Sequence, residues 1–111
     1  MYDYQSKVER VVDGDTVRMT IDHGMFIRSS QSIRLLGVLA PELGKPGGTD
    51  ARAFVIGWFS NHSHHSHHGE WAFLVVTQKD KQTFNRYVGV VICQACQAVL
   101  NMDVITHLGA T

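Results

Sequence analysis

The sequence predicts a mainly β fold with α-helices (α+β), built on a five-stranded barrel. Three observations carry that expectation. Val17, Met19 and Ile21 alternate with Thr16, Arg18 and Thr20, the period of a half-buried strand. The runs "SIRLLGV", "WAFLVV" and "RYVGVVI" are apolar, of strand length, and bounded by polar or Gly- and Pro-rich segments. The strands also cluster, three before the first helical pattern and two after it, which argues against an alternating parallel α/β sheet.

Taken in order, "KVERVV" reads as a first strand and Thr16–Ile21 as a second, with "DHG" as a turn and "MFIRSSQ" as a loop. "SIRLLGV" is the third strand, and "PELGKPGGTD" is too rich in Gly and Pro to be anything but a loop. A helix follows, with Thr49 as its N-cap and Asp50 in the first turn, where a negative charge suits the helix dipole. Ala51, Phe54, Val55, Trp58 and Phe59 make its apolar face. "WAFLVV" is a buried fourth strand, "TQKDKQTFN" a polar connection, and "RYVGVVI" a fifth strand. After a turn at "CQACQ", a short second helix presents Val99, Met102, Ile105 and Leu108 on one side, with Gly109 as its stop. Five strands with a helix between the third and fourth, and a short C-terminal helix, fit a Greek-key barrel of the OB type. There is no internal repeat, and residues 1–111 are expected to form one domain.

Composition narrows the function. Apolar residues make up 44% and charged residues 18%, the balance of a globular chain rather than a disordered one. Ten basic residues offset ten acidic ones, so any nucleic-acid partner must be held by a local cluster rather than a global field. No apolar run reaches membrane-spanning length, and the polar start "MYDYQSKVER" is no signal peptide. A cytoplasmic protein without a membrane partner is the expectation. Cys93 and Cys96 are too few for a secreted disulfide scaffold.

Several residues are candidates for chemistry. In "DGDT", Gly14 allows a tight turn between Asp13 and Asp15. Such carboxylates at a strand end suit a hard cation such as Ca²⁺ or Mg²⁺, or simply form a solvated Asp-Gly turn. Arg34, within an apolar strand, and Arg86, at the start of another, either face solvent or fork toward a phosphate or carboxylate.

Their order along the chain is more specific. D-G-D-T precedes R-L-x-G-V-x-A-P-E, then F-x-R-Y before an apolar strand, then L-N-x-x-V-I-x-x-L-G. This pattern, from about Lys7 to Ala110, resembles the staphylococcal nuclease (thermonuclease) family, whose fold is an OB-type barrel. The resemblance implies a divalent-metal-dependent endonuclease hydrolysing phosphodiester bonds of DNA, RNA or both with little sequence specificity. It implies Ca²⁺, with Mg²⁺ or Mn²⁺ as alternatives. Asp15 would be a direct metal ligand, Asp13 its support, the Ala40 carbonyl a further donor, and Glu42 the holder of a water, as general base or outer-shell partner. Arg34 and Arg86 would grip the scissile phosphate. Lys79, Lys81, Phe84 and Tyr87 would contact the nucleic acid, Phe84 by stacking alone because it has no hydroxyl.

The chain departs from the family in three ways. Where relatives read D-(A/T)-P-E, it reads Leu39-Ala40-Pro41-Glu42, so one metal carboxylate is missing. It also lacks a further C-terminal helix, which would leave apolar surface bare and makes a homodimer the expected assembly. Finally it is neutral where the best-known member is basic. The alternative implied by Leu39 is a catalytically weakened nucleic-acid-binding module of the same fold.

His62, His64, His65, His67 and His68 crowd seven positions. Imidazoles together with C-x-x-C are able to bind zinc, but the spacing matches no zinc-finger pattern. The expectation is therefore a polar His-rich loop and a reduced, incidental cysteine pair.

Overall fold

Val17, Met19 and Ile21 point inward with at most 3% exposure, and they set the interior of the barrel. The computed structural model describes residues 2–41, 44–62, 71–79 and 86–109. Its elements are β1 (Tyr2–Asp13), β2 (Thr16–Asp22), β3 (Arg28–Leu35), α1 (Gly48–His62), β4 (Phe73–Lys79), β5 (Arg86–Cys93) and α2 (Leu100–Gly109). This is the predicted order of three strands, a helix, two strands and a helix.

The strands close into a barrel in the order β1-β2-β3-β5-β4. β1 serves two neighbours. Its first half pairs with β4, Tyr2 opposite Thr77 through Ser6 opposite Phe73, and the rest pairs with β2. Register shifts between Val8 and Arg10 and between Val11 and Asp13 bend it from one partner to the other. The remaining seam is parallel: Ser32, Ile33, Arg34 and Leu35 of β3 lie opposite Arg86, Tyr87, Val88 and Gly89 of β5. The fold is the OB-type α+β barrel the pattern predicts.

Several boundaries differ from expectation. β1 begins at Tyr2, not Lys7, because the polar N-terminal residues supply the β4 pairing; Ser6 is buried and its Oγ donates to the Phe73 carbonyl at 3.3 Å. Residues 28–31, expected in a loop, open β3: Arg28 and Ser30 are exposed, Ser29 and Gln31 are half-buried on the face of Ile33, and the backbone pairs with β2 out to Asp22. Leu36–Val38 leaves the strand in a turn closed by Val38 N donating to Leu35 O at 3.2 Å. β4 starts at Phe73 and runs on to Lys79, through residues expected in the connection.

α1 starts one residue ahead of the expected cap. The Gly47 carbonyl accepts the first helical bond, from Ala51 N at 3.0 Å, so Gly47 is the cap and Thr49 lies in the first turn. Ala51, Val55, Trp58 and Phe59 are buried as predicted and close one end of the barrel, with Trp58 and Phe59 both packed on Phe73.

In α2 the buried face is not the predicted one. Met102 and Ile105 are exposed, and Leu100, Asn101 and Val104 are inside. The i, i+3 apolar row lost to a row of i, i+4 spacing, because Asn101 has backbone partners waiting for it. Its Nδ2 donates to Leu36 O and Gly89 O at 2.9 and 3.0 Å, and its Oδ1 accepts from Val91 N at 3.1 Å. α2 is also tied to α1: Trp58 Nε1 donates to Asp103 at 2.7 Å, and His107 reaches Asp50 at 2.9 Å while stacking on Phe54. Among the described residues no helix is long and apolar enough to cross a membrane.

Removing the Asn101 amide leaves the Val91 N–H and the Leu36 carbonyl short of a partner, while the Gly89 carbonyl keeps its bond from Leu36 N. Each unsatisfied buried group costs about 1–3 kcal/mol. Asn101→Ala is therefore expected to lose about 2 kcal/mol or more of unfolding free energy, read from the urea midpoint at unchanged slope.

Candidate functional site

Gly14 builds the site. A Cβ at this position would stand 2.6 Å from the Ala51 Cβ and 2.8 Å from the Ala40 Cβ. Only glycine lets the Asp13–Asp15 turn sit against both the first turn of α1 and the segment after β3. The close approach therefore brings Ala40, expected as a carbonyl donor, beside the two aspartates.

β2 then carries Asp15 to β3. Thr16 is opposite Arg34 in the β2–β3 register, and Leu35 N donates to the Asp15 carbonyl at 2.8 Å. The aspartates are locally ordered: Asp15 N donates to Asp13 Oδ1 at 3.1 Å, and Thr16 Oγ1 donates to Asp15 Oδ1 at 3.0 Å. The pKa of Asp15 is pushed up to about 6, first by burial and then by the carboxylate of Asp13, which shares a hydrogen bond with it and repels its charge. The Thr16 hydroxyl and the positive charge of Arg34 pull the other way. The charge of Arg34 thus acts on Asp15, and the Arg34 side chain makes no hydrogen bond or ion pair with another described residue.

On the other side of Arg34 is an open cleft of about 390 Å³, lined by Leu35, Leu36, Val38, Leu39 and Val88. Leu39 is 84% exposed at its edge, so the residue that replaces a carboxylate in the motif contributes an apolar rim. Arg86 pairs with Ser32, two residues from Arg34 along the parallel seam. Strand alternation places positions 34 and 86 on the same face, roughly 8 Å apart between Cα atoms.

Tyr87 does not join this group. It is opposite Ile33, on the other face of the seam, and lines a separate cavity of about 40 Å³ with Tyr4, Ile21, His23, Gln31, Ile33 and Thr77. Lys79 lies opposite Tyr87 at the end of β4. Glu42, Lys81 and Phe84 lie outside the described residues, as do His64, His65, His67 and His68.

Two features were not read from the sequence. The Thr16 hydroxyl, taken only as part of a motif and a strand pattern, holds the Asp15 carboxylate. The contact of Gly14 with Ala40 joins residues 26 apart in the chain, and no local signal announces it.

No protein-family model matches the chain, and no curated protein matches it.

The Asp13–Asp15 pair suits a hard divalent cation in donor type, since a dication relieves the repulsion that raises the Asp15 pKa. It offers few charged donors, because Leu39 has none. The pH consequence in metal-free protein has a definite sign. Between the ordinary carboxylate range and about pH 6 the folded state holds a proton on Asp15 that the unfolded chain has released, so stability falls as pH rises through that window. In EDTA, the wild type should lose melting temperature between pH 4.5 and 7 relative to Asp15→Asn, and the two curves should converge below pH 4.

Proposed function

We propose that the protein is a divalent-metal-dependent phosphodiester hydrolase acting on DNA or RNA. The observation that supports this most directly is that Arg34, which lines an open cleft, exerts its charge on Asp15, itself backed by Asp13. The ordered resemblance of the D-G-D-T and R-L-x-G-V-x-A-P-E segments to staphylococcal nuclease motifs points the same way.

In this reading a water oxygen attacks phosphorus, the bond from phosphorus to the leaving oxygen breaks, the water proton passes to a base, and the leaving oxygen gains a proton. A bound Ca²⁺, Mg²⁺ or Mn²⁺ would be held by Asp15, with Asp13 and the Ala40 carbonyl in support, and would supply charge neutralisation at the phosphate. Arg34 binds the non-bridging oxygens, where negative charge accumulates as phosphorus becomes five-coordinate. Its freedom from described hydrogen-bond partners leaves its fork of donors available for that task. Arg86 shares the load from the same face. Glu42, two residues beyond Ala40, is assigned the water. The apolar lining around Leu36 and Leu39 gives a base a surface to pack on, with recognition that is tolerant of sequence.

Leu39 favours one other reading, a nucleic-acid-binding module with a weakened metal site. The two separate by kinetics. Arg34→Ala is expected to lower kcat/KM on single-stranded DNA by about 10²-fold or more, the scale of losing one preorganised charge donor, with the fold intact by circular dichroism. Unchanged turnover in the folded variant would remove the hydrolase reading. Leu39→Asp adds a charged donor beside Ala40, and calcium affinity rises with such donors. It is expected to tighten Ca²⁺ binding by calorimetry and to raise cleavage at limiting Ca²⁺.

A further inference from the structure

The cysteine pair is not isolated in the fold. α1 ends at His62, and β5 ends at Cys93. The turn that follows carries Cys96 back over the helix end, where its Sγ lies 3.4 Å from His62 Nδ1. The ligand atoms of His62, Cys93 and Cys96 all lie within 4.8 Å of one another. We propose that these three residues bind a zinc ion, with a water completing a tetrahedral shell.

Geometry and donor chemistry both support this. In a tetrahedral zinc site with ordinary Zn–S and Zn–N bonds, a sulfur and a nitrogen ligand stand roughly 3.5 Å apart. The Cys96–His62 separation already has that value. Two thiolates and one imidazole are soft-to-borderline donors, which select zinc over the hard cations expected at Asp15. Both cysteines are free thiols, so both are available as ligands.

The scaffold around the three residues is ordered by contacts of its own. The His62 ring packs on Trp58, with ring centroids 4.3 Å apart. The turn from Cys93 to Gln97 is closed by Gln97 N donating to Cys93 O at 2.8 Å, and Cys93 N donates to Ala98 O at 2.8 Å. Gln94 fastens the same turn by donating to Trp71 O at 3.0 Å. Gln97 takes a φ of 65°, a left-handed conformation that a non-glycine residue adopts only where its surroundings demand it. Together these contacts hold Cys96, although exposed, over the helix end within reach of His62.

Burial suits a metal as well. Cys93 is fully buried and Cys96 exposed. Two thiolates cancel the charge of a zinc ion, so the loaded site places no net charge against the core beside Cys93. Binding displaces two thiol protons and ties the last turn of α1 to the end of β5, which makes zinc a ligand of the folded state. Roughly 16 Å of helix separates His62 from Ala51, which abuts the aspartate turn, so this site is distinct from the hard-cation site.

The neighbouring histidines are the rival zinc ligands, and the test removes them. The full chain carrying His64→Ser, His65→Ser, His67→Ser and His68→Ser is kept reduced and titrated with zinc, and with cobalt(II) as a spectroscopic probe. The expected result is one zinc bound per chain, intense thiolate-to-cobalt charge-transfer absorption, and a raised melting temperature. Adding Cys96→Ser or His62→Ala should weaken zinc binding by about 10²-fold or more and abolish the thermal shift. Cobalt without thiolate charge transfer, or zinc affinity unchanged by Cys96→Ser, would overturn the proposal. Loss of binding in the four-serine variant itself would do so too, since it would place the metal on the histidine tract.

Discussion

Three hydrogen bonds from one side chain hold the parallel seam on which the rest of the molecule depends. β3 and β5 pair over only four residues, the shortest ladder in the barrel, and β3 then turns away at Leu36. Asn101 spans that point, bonding to Leu36 on one side and to Gly89 and Val91 on the other. Leu36 N also donates to the Gly89 carbonyl at 2.9 Å, so this one carbonyl receives both the departing strand and the helix. A buried amide with all its partners is worth far more than its exposed equivalent, and it admits one docking position for α2. α2 in turn orients α1 through Asp103 and His107, and α1 presents Ala51 to Gly14. The aspartate turn thus takes its place from a chain of contacts that begins at the seam.

That dependence explains why the charge of Arg34 reaches Asp15 at all. Both sit at strand ends, where a register error of one residue would move them to opposite faces. The β2–β3 ladder is unbroken from Thr16 opposite Arg34 to Asp22 opposite Arg28, so the pairing leaves no slack. Into this frame the fold places a partly buried carboxylate against a second one. The cost appears as the raised pKa of Asp15, and it is offset only in part by Thr16 and Arg34. A dication between two repelling carboxylates would lower that cost.

How much of this was legible in the residues depended on whether the signal was local. The alternation of Val17, Met19 and Ile21, and the apolar face of α1, are periodic patterns, and they held. The first half of β1 and the opening of β3 were missed because their residues are polar; only their partners make them strands. α2 was placed correctly but rotated, since an apolar count has no means of foreseeing a buried asparagine that satisfies three backbone groups. The aspartates and Arg34 were picked out by their order in the chain; the fold pairs Thr16, the residue after Asp15, with Arg34. Tyr87, expected among the nucleic-acid contacts, lies on the face of the seam opposite to that of positions 34 and 86. The His62–Cys96 contact, 34 residues apart, was beyond any spacing rule, because a helix end and a strand end meet there only in three dimensions.

The central claim is that these groups hydrolyse a phosphodiester rather than merely bind one. The most direct test is to incubate the wild-type chain with a labelled single-stranded DNA and a matched RNA, in Ca²⁺, Mg²⁺, Mn²⁺ or EDTA, and to follow binding and cleavage in the same samples. The account predicts cleavage in at least one divalent metal and none in EDTA, with the strongest activity at high metal concentration because Leu39 withholds a carboxylate. Nucleic acid that is bound yet intact in every metal would contradict it.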